Sequence, residues 1–366
     1  MIPLFKPSIS EKGLREVRSV LKSGIWAVSW GGPKVKELEE KFAEYIGCEG
    51  AVAVNSGTAA LYLAIRTLPR DADGEVLLPS LTFIATAHAV VEGGLRPVFV
   101  DVEEDTLNID MEDLKAKITS KTKGIIPVHF AGRSCRIREI SEIAEDHGLW
   151  VMDDASHACG STYDGKKIGS FFDRTVFSLH PVKPLASLGG GIITFNERNP
   201  YLKERLEAMR FCGVTARRGP LYDVQSIGWN YYMTEPSAAV ALDGLERLDV
   251  ENQKRRRIAR LYNESFEGLK RVETLPFDER STYHLYVLKV KSREKFMKHM
   301  ANNGIETGIH YAMGCHEHRC YRNNKTRLPV TESVTKQLVS IPVYSSLQDD
   351  EIKQIVDTVQ SWNSIH

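Results

Sequence analysis

The chain has 366 residues, 42% hydrophobic and 26% charged, with a formal net charge of zero. This composition fits an ordinary globular protein with room for one large domain and a smaller one. It offers no basic block for nucleic acid or an anionic membrane, and no apolar run long enough to span a bilayer.

In chain order, Ser10 to Ser23 is amphipathic and predicts a helix, with Ser10 as N-cap and Leu14, Val17, Val20 and Leu21 on one face. Gly31-Gly32-Pro33 breaks the chain, and Val35 to Ile46 predicts a second helix. Seven short apolar strands follow: Ala51–Val54, Val76–Leu78, Pro97–Val100, Gly124–Val128, Leu149–Met152, Thr175–Ser178 and Ile192–Phe195. Helical stretches separate most of them, near Thr58–Leu68, Ile84–Glu92, Met111–Lys117 and Ile137–His147. Buried strands alternating with helices predict a mostly parallel sheet covered on both faces. Only a short loop joins the last two strands, too short for a parallel crossover, so the final strand is expected to run antiparallel.

Beyond Phe195, Leu202 to Phe211 predicts helix and Thr215 to Gly228 predicts loop. Ser237 to Val250 predicts a helix running into the charged stretch Glu251 to Arg257. Then come a strand over Tyr283–Val290 and helices over Arg293–Asn303 and Asp349–Trp362. The expected division is a large domain over 1–250 and a small α/β domain over 251–366. The opening Met1 to Pro7 has no signal-peptide core, and the six cysteines are mostly isolated, so a cytoplasmic setting is expected. The run Cys315-His316-Glu317-His318-Arg319-Cys320 lacks the spacing of known zinc sites and is expected to be a polar loop.

The chemistry-bearing residues fall where strands end, which is where open α/β sheets bind ligands. After the first strand, Asn55-Ser56-Gly57-Thr58 opens a helix whose free N–H groups suit a phosphate, or are simply capped. After the second strand stands Phe83, placed to stack on a flat ring or to pack in the core. After the fifth, Asp153 and Asp154 offer a carboxylate for a pyridine nitrogen or a helix cap, and His157 reaches a ring substituent if the turn continues helically. At the end of the sixth stands Ser178, a second phosphate group. Five residues on comes Lys183, between two prolines and before the glycine triplet Gly189 to Gly191. Burial of that amine would lower its pKa and favour the nucleophilic form. Together these groups describe a site for pyridoxal 5′-phosphate.

On these residues the chain resembles the DegT/StrS family of nucleotide-sugar aminotransferases, within the type I fold of pyridoxal-phosphate enzymes. The similarity runs from Ile2-Pro3-Leu4 through Ser56 to Leu61, Pro79 to Phe83, Asp153 to Ala158 and Phe177 to Lys183, then to Gly228 to Met233 and Gly308 to Tyr311. The resemblance implies Lys183 as the Schiff-base lysine and Asp154 as the acid facing the ring nitrogen. It places His157 beside the phenol oxygen, Phe83 on the ring, and Gly57, Thr58 and Ser178 at the phosphate. It implies Asn230 as a phosphate ligand reaching across a homodimer. The implied substrates are glutamate, leaving as 2-oxoglutarate, and a nucleotide keto-sugar, with Trp26, Trp30, Arg217, Arg218, His310 and Tyr311 as sugar-side candidates. The chain departs from the family pattern at Ser156, at Leu188 before the glycines, and at Tyr232. Two other readings start from the same residues. One is a lyase or desulfurase using Cys315 or Cys320; the other is a non-catalytic regulator on this fold.

Overall fold

The computed structural model describes residues 1–69, 71, 73–196, 200–218, 221–322 and 326–363; side chains at 200 and 216–218 lie outside the description. Seven strands form the main sheet, in the order Gly50–Val54, Gly191–Phe195, Arg174–Ser178, Trp150–Asp154, Thr122–Ile125, Glu75–Pro79, Arg96–Val100. The fold is thus mixed α/β with a seven-stranded, mostly parallel sheet, as the alternation predicts. Gly191–Phe195 runs antiparallel to both neighbours, and the remaining pairs are parallel. The tight Lys183 loop enforces that reversal, since it has no length for a crossover.

Each face of the sheet carries its own core. One face packs Val35, Leu38 and Phe42 of the helix Pro33–Ile46, together with Ile137 and Ile140 of Ile137–His147. The other packs Ala60, Leu63 and Ala64 of Gly57–Arg66, with Ala87 and Val90 of Ile84–Glu92. Strand residues alternate between these cores, Val151 to the first and Met152 to the second, as a pleat of period two requires.

The helix Glu235–Phe266 is 32 residues long and runs unbroken past position 250. Its later turns supply Ile258, Tyr262 and Phe266 to a third core, built around the three-stranded sheet Val272–Thr274, Tyr286–Val290, Leu338–Ile341. The first residues of the chain join this part: Ile2 N donates to Gly304 O at 2.7 Å, and Leu4 N to Glu306 Oε2 at 2.9 Å.

Two expectations are corrected. The stretch 215–228 is not all loop, because Val214–Arg218 pairs antiparallel with Leu221–Val224. Val214, Thr215, Tyr222 and Val224 favour extended backbone, which outweighed the polar character of the segment. The Cys315–Cys320 run is not wholly a polar loop, since it opens with a short 3-10 turn, Cys315–Glu317, in which Cys315 and His316 are buried, while Arg319 and Cys320 are exposed. His316 Nδ1 lies 2.7 Å from Ser80 Oγ, and Cys315 N donates to Ser80 O at 2.8 Å. The turn latches the segment that follows the second strand. No helix among the described residues is long and apolar enough to cross a membrane.

Candidate active site

A cavity of about 550 Å³ opens at the carboxyl ends of the parallel strands. One wall is Ser56, Gly57 and Thr58; the floor is Asp154 and Ser178; Phe83, His157 and Lys183 stand around it; His284, His310 and Tyr311 close it from the C-terminal part.

The anion end is made by close approach of backbone. Ser56 caps the helix Gly57–Arg66, its Oγ accepting from Ala59 N at 3.1 Å. A Cβ on Gly57 would stand 2.9 Å from Ser178 Cβ, and one on Gly191 only 2.4 Å from Ser56 O. Both glycines therefore let the helix start rest on the strand ends. The free N–H groups and positive dipole end lie beside the Ser178 hydroxyl, a geometry suited to a phosphate. Gly191 explains the glycine triplet, to which the sequence alone assigns no role.

Asp154 is buried at the floor. Its Oδ2 accepts from Thr86 Oγ1 at 2.7 Å and its Oδ1 from Ser156 N at 3.1 Å. Thr86 in turn lies 2.9 Å from Thr82 Oγ1, so the carboxylate is held by a short hydroxyl chain. The alternative of helix capping does not apply, because a reverse turn and not a helix follows the strand. That turn, with Ala158 N donating to Ala155 O at 2.9 Å, still brings His157 into the cavity.

Burial lowers the Lys183 amine to about 8, against a smaller opposing effect of Asp154. Its Nζ lies 3.3 Å from His284 Nε2. Burial first, and then the Lys183 charge, push His157 and His284 well below the usual imidazole range and His310 to about 4. The lysine is thus ringed by neutral imidazoles. Phe83 is 57% exposed at the rim, so it is not a core aromatic; its ring is 6.3 Å from Tyr311.

The cavity gathers Gly57, Thr58, Phe83, Asp154, His157, Ser178, Lys183, His310 and Tyr311. Trp26 and Asn230 lie outside it and are exposed; Trp26 Nε1 donates to Leu21 O at 2.9 Å. Trp30 packs edge-on against Phe211 at 5.1 Å. The side chains of Arg217 and Arg218 lie outside the described residues. Sequence reasoning missed His284 and Thr86. The i, i+4 pair Thr82 and Thr86 after a strand end is a signal that could have found the second; His284 has none.

The sequence profile described as the DegT/DnrJ/EryC1/StrS aminotransferase family matches residues 7–360. The chain is 34% identical over 381 residues to the spore coat polysaccharide biosynthesis protein SpsC of Bacillus subtilis, covering 98% of this chain and 96% of SpsC. Among solved structures it is similar to Helicobacter pylori PseC, an aminotransferase involved in the biosynthesis of pseudoaminic acid. The TM-score is 0.93 and the identity 27%, over 99% of this chain and 98% of PseC. It is also similar to the PLP-form of the putative sugar aminotransferase Spr1654 from Streptococcus pneumoniae, with a TM-score of 0.92 and 29% identity over 99% and 98% of the two chains. The chain belongs to the DegT/DnrJ/EryC1/StrS aminotransferase family and shares the fold of its sugar aminotransferases.

Proposed function

We propose that this protein is a pyridoxal-phosphate-dependent aminotransferase that moves an amino group from glutamate to the keto group of a nucleotide-linked sugar. One observation carries the reading. An amine lowered to about 8 shares a cavity with a buried, oriented carboxylate, and a helix N-terminus with a serine hydroxyl beside it closes one end. The residues present fit the cofactor. Gly57 and Gly191 let the helix start close on the Ser178 strand end to form the phosphate end, and Phe83 offers an exposed ring face.

In this reading Lys183 would hold the cofactor covalently, Asp154 would serve its ring nitrogen and His157 its phenol oxygen. Gly57, Thr58 and Ser178 hold the phosphate. When bound, the cofactor supplies an electron-accepting ring conjugated to the substrate carbon. Asp154, fixed by Thr86 and Ser156 N, keeps a proton on the ring nitrogen. Lys183, about a tenth free base at pH 7 by its value of about 8, would be the group that accepts and holds the proton lost by the donor's α-carbon. The neutral histidines add no positive charge to oppose that proton's arrival.

His310 and Tyr311 line the wall from the C-terminal part and suit the sugar. Arg217 and Arg218 suit a diphosphate. Asn230 and Trp26 are exposed, and so are three apolar side chains in the stretch before Asn230, Leu221 at 72%, Tyr222 at 67% and Ile227 at 75%. A second copy of the chain, covering that surface and receiving Asn230 and Trp26 at its own site, accounts for both features. The division near residue 251 is part of the same reading; the separate third core supports it. All six cysteines are free, in keeping with a reducing cytoplasm.

The desulfurase reading loses its internal sulfur carrier at Cys315. That thiol is buried, donates to Thr82 O at 3.4 Å, and is pushed up to about 12 by burial. The test is incubation with glutamate and a panel of nucleotide keto-sugars, followed by mass spectrometry. 2-Oxoglutarate and an amino-sugar are expected. Turnover of an amino acid with no keto acceptor would favour the lyase instead.

A further inference from the structure

His284 belongs to no motif noted in the sequence, yet it makes the closest recorded side-chain approach to the reactive amine: Nε2 lies 3.3 Å from Lys183 Nζ. The ring is 4% exposed and fixed from two sides. Phe5 stacks on it at 5.7 Å with planes 20° apart, and His157 packs against it at 4.5 Å. Phe5 is itself held because Leu4 and Ile2 are hydrogen-bonded to Glu306 and Gly304.

The amine is faced by groups from several elements. Asp154 comes from the strand Trp150–Asp154, His157 from the turn after it, His180 from the lysine's own loop, and His310 from the C-terminal part. Arg255, from the long helix, faces His284. Both Asp154 oxygens already accept hydrogen bonds, from Thr86 and Ser156 N. His284 is neutral, and a neutral imidazole has one nitrogen that only accepts, whereas an ammonium only donates. An ammonium enclosed without an acceptor would lose much of its stability.

We propose that His284 is a positioning residue for the proton that Lys183 carries. Its unprotonated Nε2 accepts an N–H of the ε-ammonium, turning the other N–H groups toward the substrate carbons. The proton leaves a substrate carbon, forms an N–H bond on Nζ, and later leaves Nζ for the second carbon; His284 never takes it. The proposal rests on the reading of Lys183 as the reactive amine.

The test is the pH dependence of Lys183 acylation in the cofactor-free full chain, read by peptide mass. Wild type is compared with His284→Gln, which keeps an acceptor, and His284→Met, which matches its length without one. In His284→Met the midpoint is expected to fall by about one pH unit, making Lys183 about fivefold more reactive at pH 7. In His284→Gln it is expected to stay within about 0.3 unit of wild type. Phe5→Ala keeps the imidazole but removes its stack, and should give a smaller shift in the same direction. Equal midpoints in wild type and His284→Met, or equal falls in the Met and Gln variants, overturn the proposal. A wild-type midpoint near the ordinary lysine value of about 10.4 overturns the reading of Lys183 itself, whatever the variants do.

Discussion

Asp153 and Asp154 are neighbours on one strand, and the pleat sends them to opposite regions of the molecule. Asp154 opens on the cavity, with Thr86 Oγ1 and Ser156 N as donors. Asp153 is fully buried on the other face, Oδ1 3.2 Å from His129 Nε2. His129 Nδ1 accepts from Cys135 N at 3.0 Å, and its Nε2 edge lies beside Asp153 without hydrogen-bond alignment. The same side chain thus does two jobs one residue apart. At 154 the carboxylate faces the cavity, where a ligand can meet it; at 153 it lies beside a buried imidazole, 3.2 Å away but without hydrogen-bond alignment. Chemical identity decided neither role; the face of the sheet did.

Lys183→Ala removes the amine that Asp154 serves, and turnover should fall by on the order of 10⁴-fold, with loss of the visible band of the cofactor bonded to lysine. Retained turnover would reject the site. Asp154→Asn should keep the hydrogen-bonded shape but lower kcat by on the order of 10²–10³-fold, measured with cofactor saturating.

The enclosed amine also predicts a pH effect on stability. Its folded value of about 8 lies below the ordinary 10.5, so between those pH values the unfolded chain binds more protons and stability rises with pH. Lys183→Met should therefore stabilise the cofactor-free chain at pH 7 by roughly 3 kcal/mol, the gain shrinking toward zero by pH 10.5. Denaturant melts across that window check the sign, and a constant gain would show that the amine titrates normally.

Thr86→Val removes one donor to Asp154 and should lower kcat about tenfold, the worth of one hydrogen bond to a charged group. Asp153→Ala is the opposite case. It removes the buried carboxylate 3.2 Å from His129 Nε2 and should cost about 1–3 kcal/mol of stability in urea melts, while kcat stays within about twofold. A large loss of kcat with unchanged stability would erase the distinction between the two faces.

Much of the site is legible in the chain because its groups lie within a few residues of strand ends. Gly57, Phe83, Asp154, Ser178 and Lys183 each follow or close an apolar run, and the α/β alternation brings all those ends to one edge. His284 was not legible. It flanks a strand of the C-terminal part, 101 residues from Lys183, and its meeting with the lysine depends on how two separate cores pack. Thr86 escaped notice because a threonine inside a helix has many ordinary explanations. The hairpin at 214–224 was missed because polar and basic residues hid its extended preference.

The strand and helix alternation, the antiparallel return forced by the short lysine loop, and the ligand-bearing strand ends are written in local periodicity and chain length. Which aspartate faces the cavity, which imidazole meets the amine, and how far that amine's proton affinity falls emerge from the folded molecule. Pleat register, inter-core packing and burial are set by groups distant along the chain, and no local pattern encodes a dielectric.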